Sequence, residues 1–533
     1  MKRRDFIKVS SAAGIAGLVG PGYSSMADNY SSGVAGFDLH PFIKEHPEAV
    51  FINITDVKEK TDATGIHDAA FKLANEMFVK TSNGKGYSNS TKITCKPNWT
   101  CNSPDKKDPT ANLGITTDNN FIEGYLKSVR TKGPQDFYLR ECACSFLWPA
   151  NGYTQMADRN NFNLRELSSK DYWNMNPDDI IFKEVPNGVV FRKVAYMAPM
   201  NAPDTFLINM AKFKSHQMGI TASIKNLQGI TAKRFHNFCA GTTDVFKTLD
   251  KRYHEFFHSD YLAKIAELHK LHVEKGIPRW NNVMDRPPDG GGFWMEQWVN
   301  RTLDNVSVTP TGINIVEGIY GRDGDGFSNG SHGGKPQDFM SNNVIFGIDP
   351  FRVDIITHWL AGHEPGNFGL FHIAIERGMS NVLDPFDIPV YLWKDGKAKL
   401  VKLDSLKRTP LVTLYLRTSI DGLLEDKYHL CNEPFDYSKW KTGKISANTL
   451  PSIKALGTDS KDQVVMEVSV PDKGDVFVDI MNNNGEVVWR LQAEGLEPGN
   501  HQVVWDGFNK PGMYSVYVKG MGWDAEQETV IYT

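Results

Sequence analysis

The sequence has few cysteines, no long apolar run and no large excess of charge of either sign. Its 533 residues include six cysteines and carry a formal net charge of −4. Six cysteines in a chain of this length are too few for a disulfide scaffold, and no C-x-x-C-x-x-C run marks an iron–sulfur cluster of the ferredoxin type. The balanced charge gives no footprint for nucleic acid, and no segment has the roughly 20 apolar residues of a membrane span. These absences indicate a globular protein, long enough for more than one domain.

Two of the six cysteines lie close together. The six are Cys95, Cys101, Cys142, Cys144, Cys239 and Cys431. One alanine separates Cys142 from Cys144, a spacing that fits a metal or redox pair. Since two cysteines this close make an awkward disulfide, free buried thiols are an equal alternative.

The first residues resemble a twin-arginine signal. Arg3 and Arg4 directly precede a polar, an aromatic and an aliphatic residue. A weakly apolar stretch follows at 9–20, and small residues at 25–27 suit a signal-peptidase cut. We therefore predict that residues 1–27 are a signal peptide. The resemblance implies export of the folded protein by the twin-arginine translocase, to the periplasm or beyond the cell, with no membrane span in the mature chain.

Strand and helix patterns alternate from residue 49 onward. The predicted strands are 50–54, 91–95, 136–139, 205–209, 313–316 and 344–348, and the predicted helices are 68–80 and 119–131. This alternation favours an α/β fold with a mixed, largely parallel sheet and crossover helices. We assign this α/β domain, with its extensions, to residues 28–455.

The pattern changes after a polar linker at 457–462. Short alternating strands are predicted at 464–470, 475–481, 487–491, 502–505 and 512–518. Turn-forming Asn, Pro and Gly residues separate them, as is typical of a small all-β sandwich. The stretches 499–507 and 511–517 resemble the immunoglobulin-like module of flagellar hook-capping proteins. The resemblance implies an immunoglobulin-like sandwich over 460–533 with a structural or docking role.

The most distinctive segment for chemistry is 207–229. A buried strand is predicted to end at Lys212, and Lys214 and His216 follow before a glycine turn. A histidine at a strand end suits proton transfer or metal ligation, and lysines suit an anionic substrate. Lys225 and Asn226 fall in a predicted helix at 221–227. A structural histidine with surface lysines is the alternative.

The same segment resembles the signature of a family of unknown function, domain-of-unknown-function family 362. The resemblance is carried by K-S-H at 214–216, G-I-T at 219–221 and K-N-L-Q-G at 225–229. Further family-like pieces follow in order at 96–98, 114–117, 321–326 and 347–354. The resemblance covers most of residues 49–380. It implies a domain sometimes joined to iron–sulfur modules, for which this sequence carries no motif, and it implies no general activity.

A shorter similarity concerns the nickel-pincer lactate racemases. His216, the glycine after it and Lys225 resemble a His–Gly–Lys stretch of those enzymes, over roughly ten residues. The cysteine and lysine that handle the nickel cofactor in that family cannot be placed in this sequence. The similarity therefore leaves the identity of any cofactor unknown.

Acidic residues accompany two glycine-containing loops. The loop 318–334 contains Asp323, Asp325, Asn329 and His332, and alternating acidic residues can bind Ca²⁺ or Mg²⁺. Phe327 and Gly334 occupy positions that an EF-hand needs for ligands, so we interpret the loop as lining a site without a metal. Asp349 precedes Pro350 and either caps a helix or joins the site. Asp354, one turn later, is expected to point toward the ligand end of the sheet.

A separate sequence pattern suggests a metal-binding site. His254, Glu255 and His258 form an H-E-x-x-H sequence, in which an α-helix would place both imidazoles on one face as zinc ligands. A zinc hydrolase would also need a third ligand, and the sequence does not identify one.

These observations lead to one hypothesis about an uncharacterised exported protein. We expect seven side chains to meet at the strand ends around a small anionic substrate: Lys96, His216, Lys225, Asn226, Asp323, Asp349 and Asp354. His216 is the expected acid/base group or metal ligand, and a divalent metal is one option for the unknown cofactor. The alternatives are a non-catalytic periplasmic ligand-binding protein and a zinc hydrolase.

Overall fold

The computed structural model describes residues 35–531, with gaps at 83, 101, 104, 166–174, 217–218, 233–243, 249, 279–291, 325–335, 412–433, 442–451, 459–462, 471–473, 483–485, 506–511 and 521–522. The predicted signal peptide lies outside the described residues. The chain divides into two compact units. The larger comprises Gly17–Ala374 and Met379–Thr442, and the smaller is mainly Gly443–Thr533.

The larger unit alternates strands and helices. Its described strands are β1 (Gly36–Leu39), β2 (Val50–Ile54), β3 (Phe78–Thr81), β4 (Tyr87–Ser88), β5 (Lys92–Pro97), β6 (Phe137–Leu139), β7 (Asn163–Leu164), β8 (Ile180–Glu184), β9 (Lys193–Met197), β10 (Thr205–His216), β11 (Gly219–Thr221), β12 (Ile313–Asp323), β13 (Gln337–Gly347), β14 (Val390–Lys394) and β15 (Lys397–Val401). Its described α-helices are α1 (Pro41–Glu45), α2 (Ala63–Met77), α3 (Asn119–Arg130), α4 (Tyr153–Arg159), α5 (Ser223–Asn226), α6 (Val245–Thr248), α7 (Tyr261–Glu274), α8 (Phe293–Ser307), α9 (Pro350–Leu360), α10 (Gly369–Glu376) and α11 (Tyr437–Lys441). Short 3₁₀ helices lie at Leu113–Ile115, Ser145–Leu147, Pro177–Asp179, Leu227–Ile230, Lys251–Phe256, Pro365–Asn367, Pro385–Asp387 and Leu403–Ser405.

A ten-stranded sheet organises the larger unit, and it confirms the predicted α/β fold with a mixed, largely parallel sheet. In the described residues its order is β15-β14-β2-β13-β12-β10-β5-β6-β7, with β11 paired to β10. Strands β12, β10, β5, β6 and β7 run parallel to one another, β2 and β14 are also parallel, and β13 and β15 run antiparallel to their neighbours. The carboxyl ends of the five parallel strands therefore lie at one edge, where ligands bind in open α/β sheets.

The two central strands are buried over almost their whole length. In β10 every residue from Phe206 to Ser215 is buried, and β12 is buried from Ile313 to Arg322. Such strands are covered on both faces, which explains their nearly continuous apolar runs. Aromatic and aliphatic side chains of the sheet pack with those of α2 and α3 into one large core.

Helix α2 begins and ends earlier than its pattern predicts. Asp62 caps it by accepting a hydrogen bond from the backbone nitrogen of Gly65 at 2.9 Å, as capping side chains do. The predicted helix 68–80 is wrong at its end, because the chain leaves the helix after Met77 and Phe78–Thr81 pairs with β1 as a strand. Tertiary pairing overrides the local helical pattern there.

The smaller unit is built from antiparallel strands. Its described strands are β16 (Ser452–Thr458), β17 (Val464–Val470), β18 (Gly474–Asn482), β19 (Val487–Leu496), β20 (Gly499–Trp505), β21 (Gly512–Gly520) and β22 (Trp523–Ile531). They form one sheet in the order β16-β17-β20 and another in the order β19-β18-β21-β22. Alternate residues of both sheets, such as Met466 and Ile480, share one apolar core, as in two sheets packed face to face. The predicted C-terminal β region is confirmed at this level.

None of the helices in the described residues is long and apolar enough to cross a membrane.

Candidate functional site

Strand β10 does not end where its sequence suggests. The predicted end at Lys212 is wrong, because the strand continues to His216 and forms a hairpin with β11. In this hairpin Lys214 is opposite Thr221 and His216 is opposite Gly219. Pairing with β11 gives the backbone groups of this polar segment hydrogen-bond partners, so the segment forms a strand instead of a loop. The chain then enters α5, and this return brings Lys225 back toward His216.

Three basic side chains influence one another at this hairpin. Burial, followed by the positive charges of Lys225 and Arg322, lowers the pKa of Lys214 well below its usual value. Burial, then Lys225 and Lys214, likewise lowers the pKa of His216 well below its usual value. Desolvation and like charges both disfavour the charged form. His216 is therefore a neutral imidazole near neutral pH, the form that can accept a hydrogen bond or ligate a metal.

Lys214 is held in place by the chain around it. It is 1% exposed, and its Nζ donates a hydrogen bond to the carbonyl oxygen of Ile115 at 2.6 Å. Its parallel neighbour on β12 is Arg322, which forms an ion pair with Asp338 at 2.7 Å. Asp323 follows as the last residue of β12, so it lies at the same edge of the sheet as the hairpin.

Lys96 and Asn226, two of the predicted site residues, are in direct contact. The Nζ of Lys96 donates to Oδ1 of Asn226 at 3.0 Å and forms an ion pair with Glu141 at 2.6 Å. Lys96 is 1% exposed and Glu141 is 3% exposed. Glu141 also accepts hydrogen bonds from the backbone nitrogens of Trp99, at 3.2 Å, and Cys142, at 2.8 Å. This network fixes α5 to the ends of β5 and β6.

A row of amides continues this network across the sheet. Asn226 donates from Nδ2 to Oδ1 of Asn209 at 2.9 Å, and Asn209 donates to Oδ1 of Asn314 at 2.9 Å. Lys96, Asn209 and Asn314 are register partners on the parallel strands β5, β10 and β12. Buried polar groups need such partners, so the row positions α5 against three strands at once.

Within the described part of the chain, several buried polar atoms at this edge have no hydrogen-bond partner. They include Oδ1 of Asn98, which follows β5, and Oγ1 of Thr221, which lies opposite Lys214. Asn98 is 7% exposed and Thr221 is fully buried. An unsatisfied buried acceptor or hydroxyl costs about 1–3 kcal/mol, so these atoms are candidates for contact with a ligand or water.

The carboxylate of Asp354 lies at the start of α5. It accepts hydrogen bonds from the backbone nitrogens of Ser223, at 2.7 Å, and Ile224, at 2.9 Å. Burial is the main cause that raises the pKa of Asp354 to about 7, although these hydrogen bonds oppose the shift. Asp354 thus connects α9 to the start of α5 and orders the segment that carries Lys225.

Asp349 does not join the other predicted residues. It follows β13, whose last residue, Gly347, pairs with Asn314 near the start of β12. Asp349 therefore lies at the edge of the sheet opposite to Asp323. Its carboxylate accepts hydrogen bonds from the backbone nitrogens of Phe351, at 2.8 Å, and Arg352, at 3.2 Å, so it caps α9.

The H-E-x-x-H segment does not lie on an α-helix. Lys251–Phe256 is a 3₁₀ helix, and Phe257 is extended and bridged to Phe191. His258 therefore lies beyond the helix, and the expected single helical face for His254 and His258 is wrong. Among the residues that the structure describes, no group of three His, Cys, Asp or Glu side chains is placed to hold a metal.

The two neighbouring cysteines differ in state. Cys142 and Cys95 are buried and are not part of a disulfide, whereas Cys144 is disulfide-bonded. The pairing of Cys142 with Cys144 that the sequence allowed is therefore not a disulfide. The predicted loop residues Asp325, Asn329 and His332 lie outside the described residues.

Sequence reasoning missed several members of the buried network. Glu141 is 45 positions from Lys96, and no local pattern connects them. Lys212 and Glu317 form a fully buried ion pair at 2.6 Å, and burial raises the pKa of Glu317. The available signal was the presence of Asn209 and Lys212 inside an apolar strand, since a polar residue there must find partners.

The fold and this edge define an α/β domain with a buried basic hairpin at the carboxyl ends of its parallel strands. A family model described as Domain of unknown function (DUF362) matches residues 93–358. The chain therefore carries a DUF362 domain, as its motifs predicted, and the match includes most of β5, all of β10, β11 and α5, and most of α9. A search of curated proteins found no match to this sequence.

Proposed function

We propose that the DUF362 domain binds a small anionic molecule at the edge formed by the β10–β11 hairpin and α5, and acts on it as an enzyme. Lys214 and Lys225 hold the anion in this proposal. His216 serves as the acid/base group or as a ligand of a divalent metal. Helix α5 is positioned by Lys96, Asn226 and Asp354. Asp323 lies at the same edge, as the last residue of β12.

The observation that carries the proposal is the electrostatic coupling of Lys214, Lys225 and His216. Each of the two lysines lowers the pKa of His216, and Lys225 also lowers that of Lys214. Gathering positive groups in a desolvated place raises the free energy of the folded protein. An anion bound beside them reverses this effect, because opposite charge favours the charged forms. Such energetically unfavourable clusters of charge are found preferentially at functional sites.

The two alternatives differ in how they relate to this edge. A non-catalytic binding protein would use the same basic groups without turnover. The zinc hydrolase is not favoured, since its two histidines do not share a helical face.

Export is also part of the proposal. The Arg3–Arg4 signal supports transport of the folded protein by the twin-arginine translocase, to the periplasm or beyond. The disulfide at Cys144 gives independent support, because disulfides persist in oxidising compartments and are rare in the cytosol.

For the C-terminal unit we propose an immunoglobulin-like docking module. Its two antiparallel sheets and their shared apolar core support a sandwich of this kind. The proposed role is structural, and no step of the chemistry is assigned to it.

Binding of simple anions tests the proposed site. Isothermal titration of the exported protein with acetate, glycolate, phosphate and sulfate is compared with that of Lys225→Met. Lys270→Met is the matched control, because the side chain of Lys270 is 80% exposed on α7. Removing one charge from the site is expected to weaken binding by about tenfold or more, equivalent to ~1.4 kcal/mol.

The result expected is binding to the wild type and to Lys270→Met with clear weakening in Lys225→Met. Absence of binding by the wild type, or equal affinity in all three proteins, would overturn the proposal. Turnover of a bound anion distinguishes the enzyme from the binding protein.

A further inference from the structure

One buried histidine outside the predicted set faces the hairpin. His358 lies on α9 and is 3% exposed, and its Nδ1 is 2.8 Å from the backbone oxygen of Asp354. A carbonyl oxygen only accepts hydrogen bonds, so Nδ1 carries the proton and Nε2 is an acceptor. Burial lowers the pKa of His358 to about 4, so this neutral form persists at neutral pH.

The acceptor nitrogen lies beside Gly219, the first residue of β11. A Cβ atom built on Gly219 would lie 3.7 Å from Nε2 of His358 and 3.0 Å from the ring of Phe368. Gly219 is the register partner of His216. His358 therefore lies next to the basic hairpin.

Among the residues that the structure describes, Nε2 of His358 has no hydrogen-bond partner. The rings of Phe368 and Phe371 lie 4.8 Å and 5.1 Å from the imidazole and offer no donor. A buried acceptor without a partner costs about 1–3 kcal/mol. The backbone carbonyl fixes the proton on Nδ1. Nε2 is therefore left as an acceptor for a hydrogen bond from a ligand.

We infer that His358 belongs to the ligand site and that its Nε2 accepts a hydrogen bond from the ligand, so that the site selects anions that also carry a hydroxyl or another hydrogen-bond donor. The inference rests on the proposed function, since the lysines supply the attraction for the anion. His358 adds selectivity among anions of equal charge.

Two matched pairs of probes test this inference. Glycolate differs from acetate by a hydroxyl group, and phosphate at neutral pH carries a P–OH donor that sulfate lacks. The wild type is expected to prefer the donor-bearing member of at least one pair by about tenfold, the value of one hydrogen bond of ~1.4 kcal/mol. The pair that shows the preference identifies the ligand as a hydroxycarboxylate or a phosphate.

The variants His358→Gln and His358→Phe separate the acceptor from the volume it fills. Gln retains an acceptor oxygen and is expected to keep part of the preference, whereas Phe is expected to abolish it while acetate and sulfate bind as before. A preference that is absent from the wild type, or unchanged in His358→Phe, overturns the inference while the proposed anion site stands. Failure of the wild type to bind any of the four anions instead overturns the proposed function.

A measurement on the wild type tests the inference even if the His358 variants do not fold. In crystals soaked with the preferred anion, its donor oxygen is expected within hydrogen-bond distance of Nε2 of His358. A bound anion whose donor oxygen points to any other group contradicts the inference.

Discussion

The ammonium nitrogen of Lys96 lies 2.6 Å from Oε2 of Glu141, and both side chains are almost completely buried. The same nitrogen reaches Asn226, so one ion pair connects the ends of β5 and β6 to the helix that carries Lys225. A buried pair of this kind need not contribute net stability, but removing one partner leaves the other charge uncompensated.

We therefore expect Lys96→Met to reduce the free energy of unfolding by about 3–5 kcal/mol, as measured by urea denaturation. The double variant Lys96→Met/Glu141→Gln should recover part of this loss, because no buried charge is left unpaired. Lys72→Met is the control, since Lys72 and Asp395 form an ion pair in which both side chains are 60% exposed. Equal losses in Lys96→Met and Lys72→Met would contradict the prediction.

Gly229 passes directly beside this ion pair. A Cβ atom at this position would overlap Cε of Lys96 and Oε1 of Glu141 and would lie 2.8 Å from Nζ of Lys96. Gly229→Ala should therefore destabilise the domain by about 1–3 kcal/mol, as overpacking does. It should also weaken anion binding, because α5 precedes this glycine. Gly474→Ala has open space around it and should change neither property; comparable effects of the two substitutions would refute the steric account.

The extent of sequence-based prediction differs between local and long-range features. The strands Val50–Ile54 and Val464–Val470 were predicted with their observed ends, because alternating or continuous apolar residues and flanking turns define them locally. The last four residues of β10 were missed, since Lys214 and His216 are polar and only their pairing with β11 makes them part of a strand.

In the candidate site, too, local features could be predicted from the sequence and long-range contacts could not. The motif around His216 marked the segment that forms β10, β11 and α5, and the α/β pattern predicted ligand binding at the carboxyl ends of the strands. The contacts of Glu141 and His358 depend on how distant segments pack, and neither residue belongs to a recognisable local pattern. Asp349 precedes a proline, and in the structure this position is a helix cap on the opposite edge.

The carboxyl group of Asp354 makes stability depend on pH. Its pKa is about 7 in the folded protein, against about 3.9 in an unfolded chain. The folded state therefore binds more protons than the unfolded state between these values, and the stabilising contribution, complete below about pH 4, is lost as the pH rises toward 7. Each unit of difference corresponds to ~1.4 kcal/mol. Relative to Asp354→Asn, the wild type should lose a few kcal/mol over this window.

Urea denaturation of both proteins at several pH values measures this difference. Taking the difference between the two curves removes the contributions of Asp349 and Glu317, whose pKa values burial also raises. Parallel curves for the wild type and Asp354→Asn between pH 4 and 7 would show that Asp354 does not titrate in this range.

The disulfide at Cys144 should stabilise the exported protein. Reduction with dithiothreitol is expected to lower the free energy of unfolding by about 2–4 kcal/mol, the usual contribution of a disulfide. In Cys144→Ala the same treatment should have no effect, whereas a Cys142→Ala variant should respond like the wild type because Cys142 is not part of a disulfide. A response to dithiothreitol that survives in Cys144→Ala would assign the effect to another bond.

Export by the twin-arginine route predicts a specific dependence on Arg3 and Arg4. Replacing both by lysine preserves the charge but removes the planar guanidinium groups that bind carboxylates in a bidentate manner. We expect this variant to accumulate in the cytoplasm of the native host, while the control Lys2→Arg/Lys8→Arg is exported. The state of Cys144 provides a second readout, because the cytosol keeps thiols reduced. Protein retained by the lysine pair should react with a maleimide at Cys144, and exported protein should not. Normal export of the lysine variant with an intact disulfide would exclude the twin-arginine route, whereas a reduced Cys144 in the exported wild type would remove the disulfide as support for export.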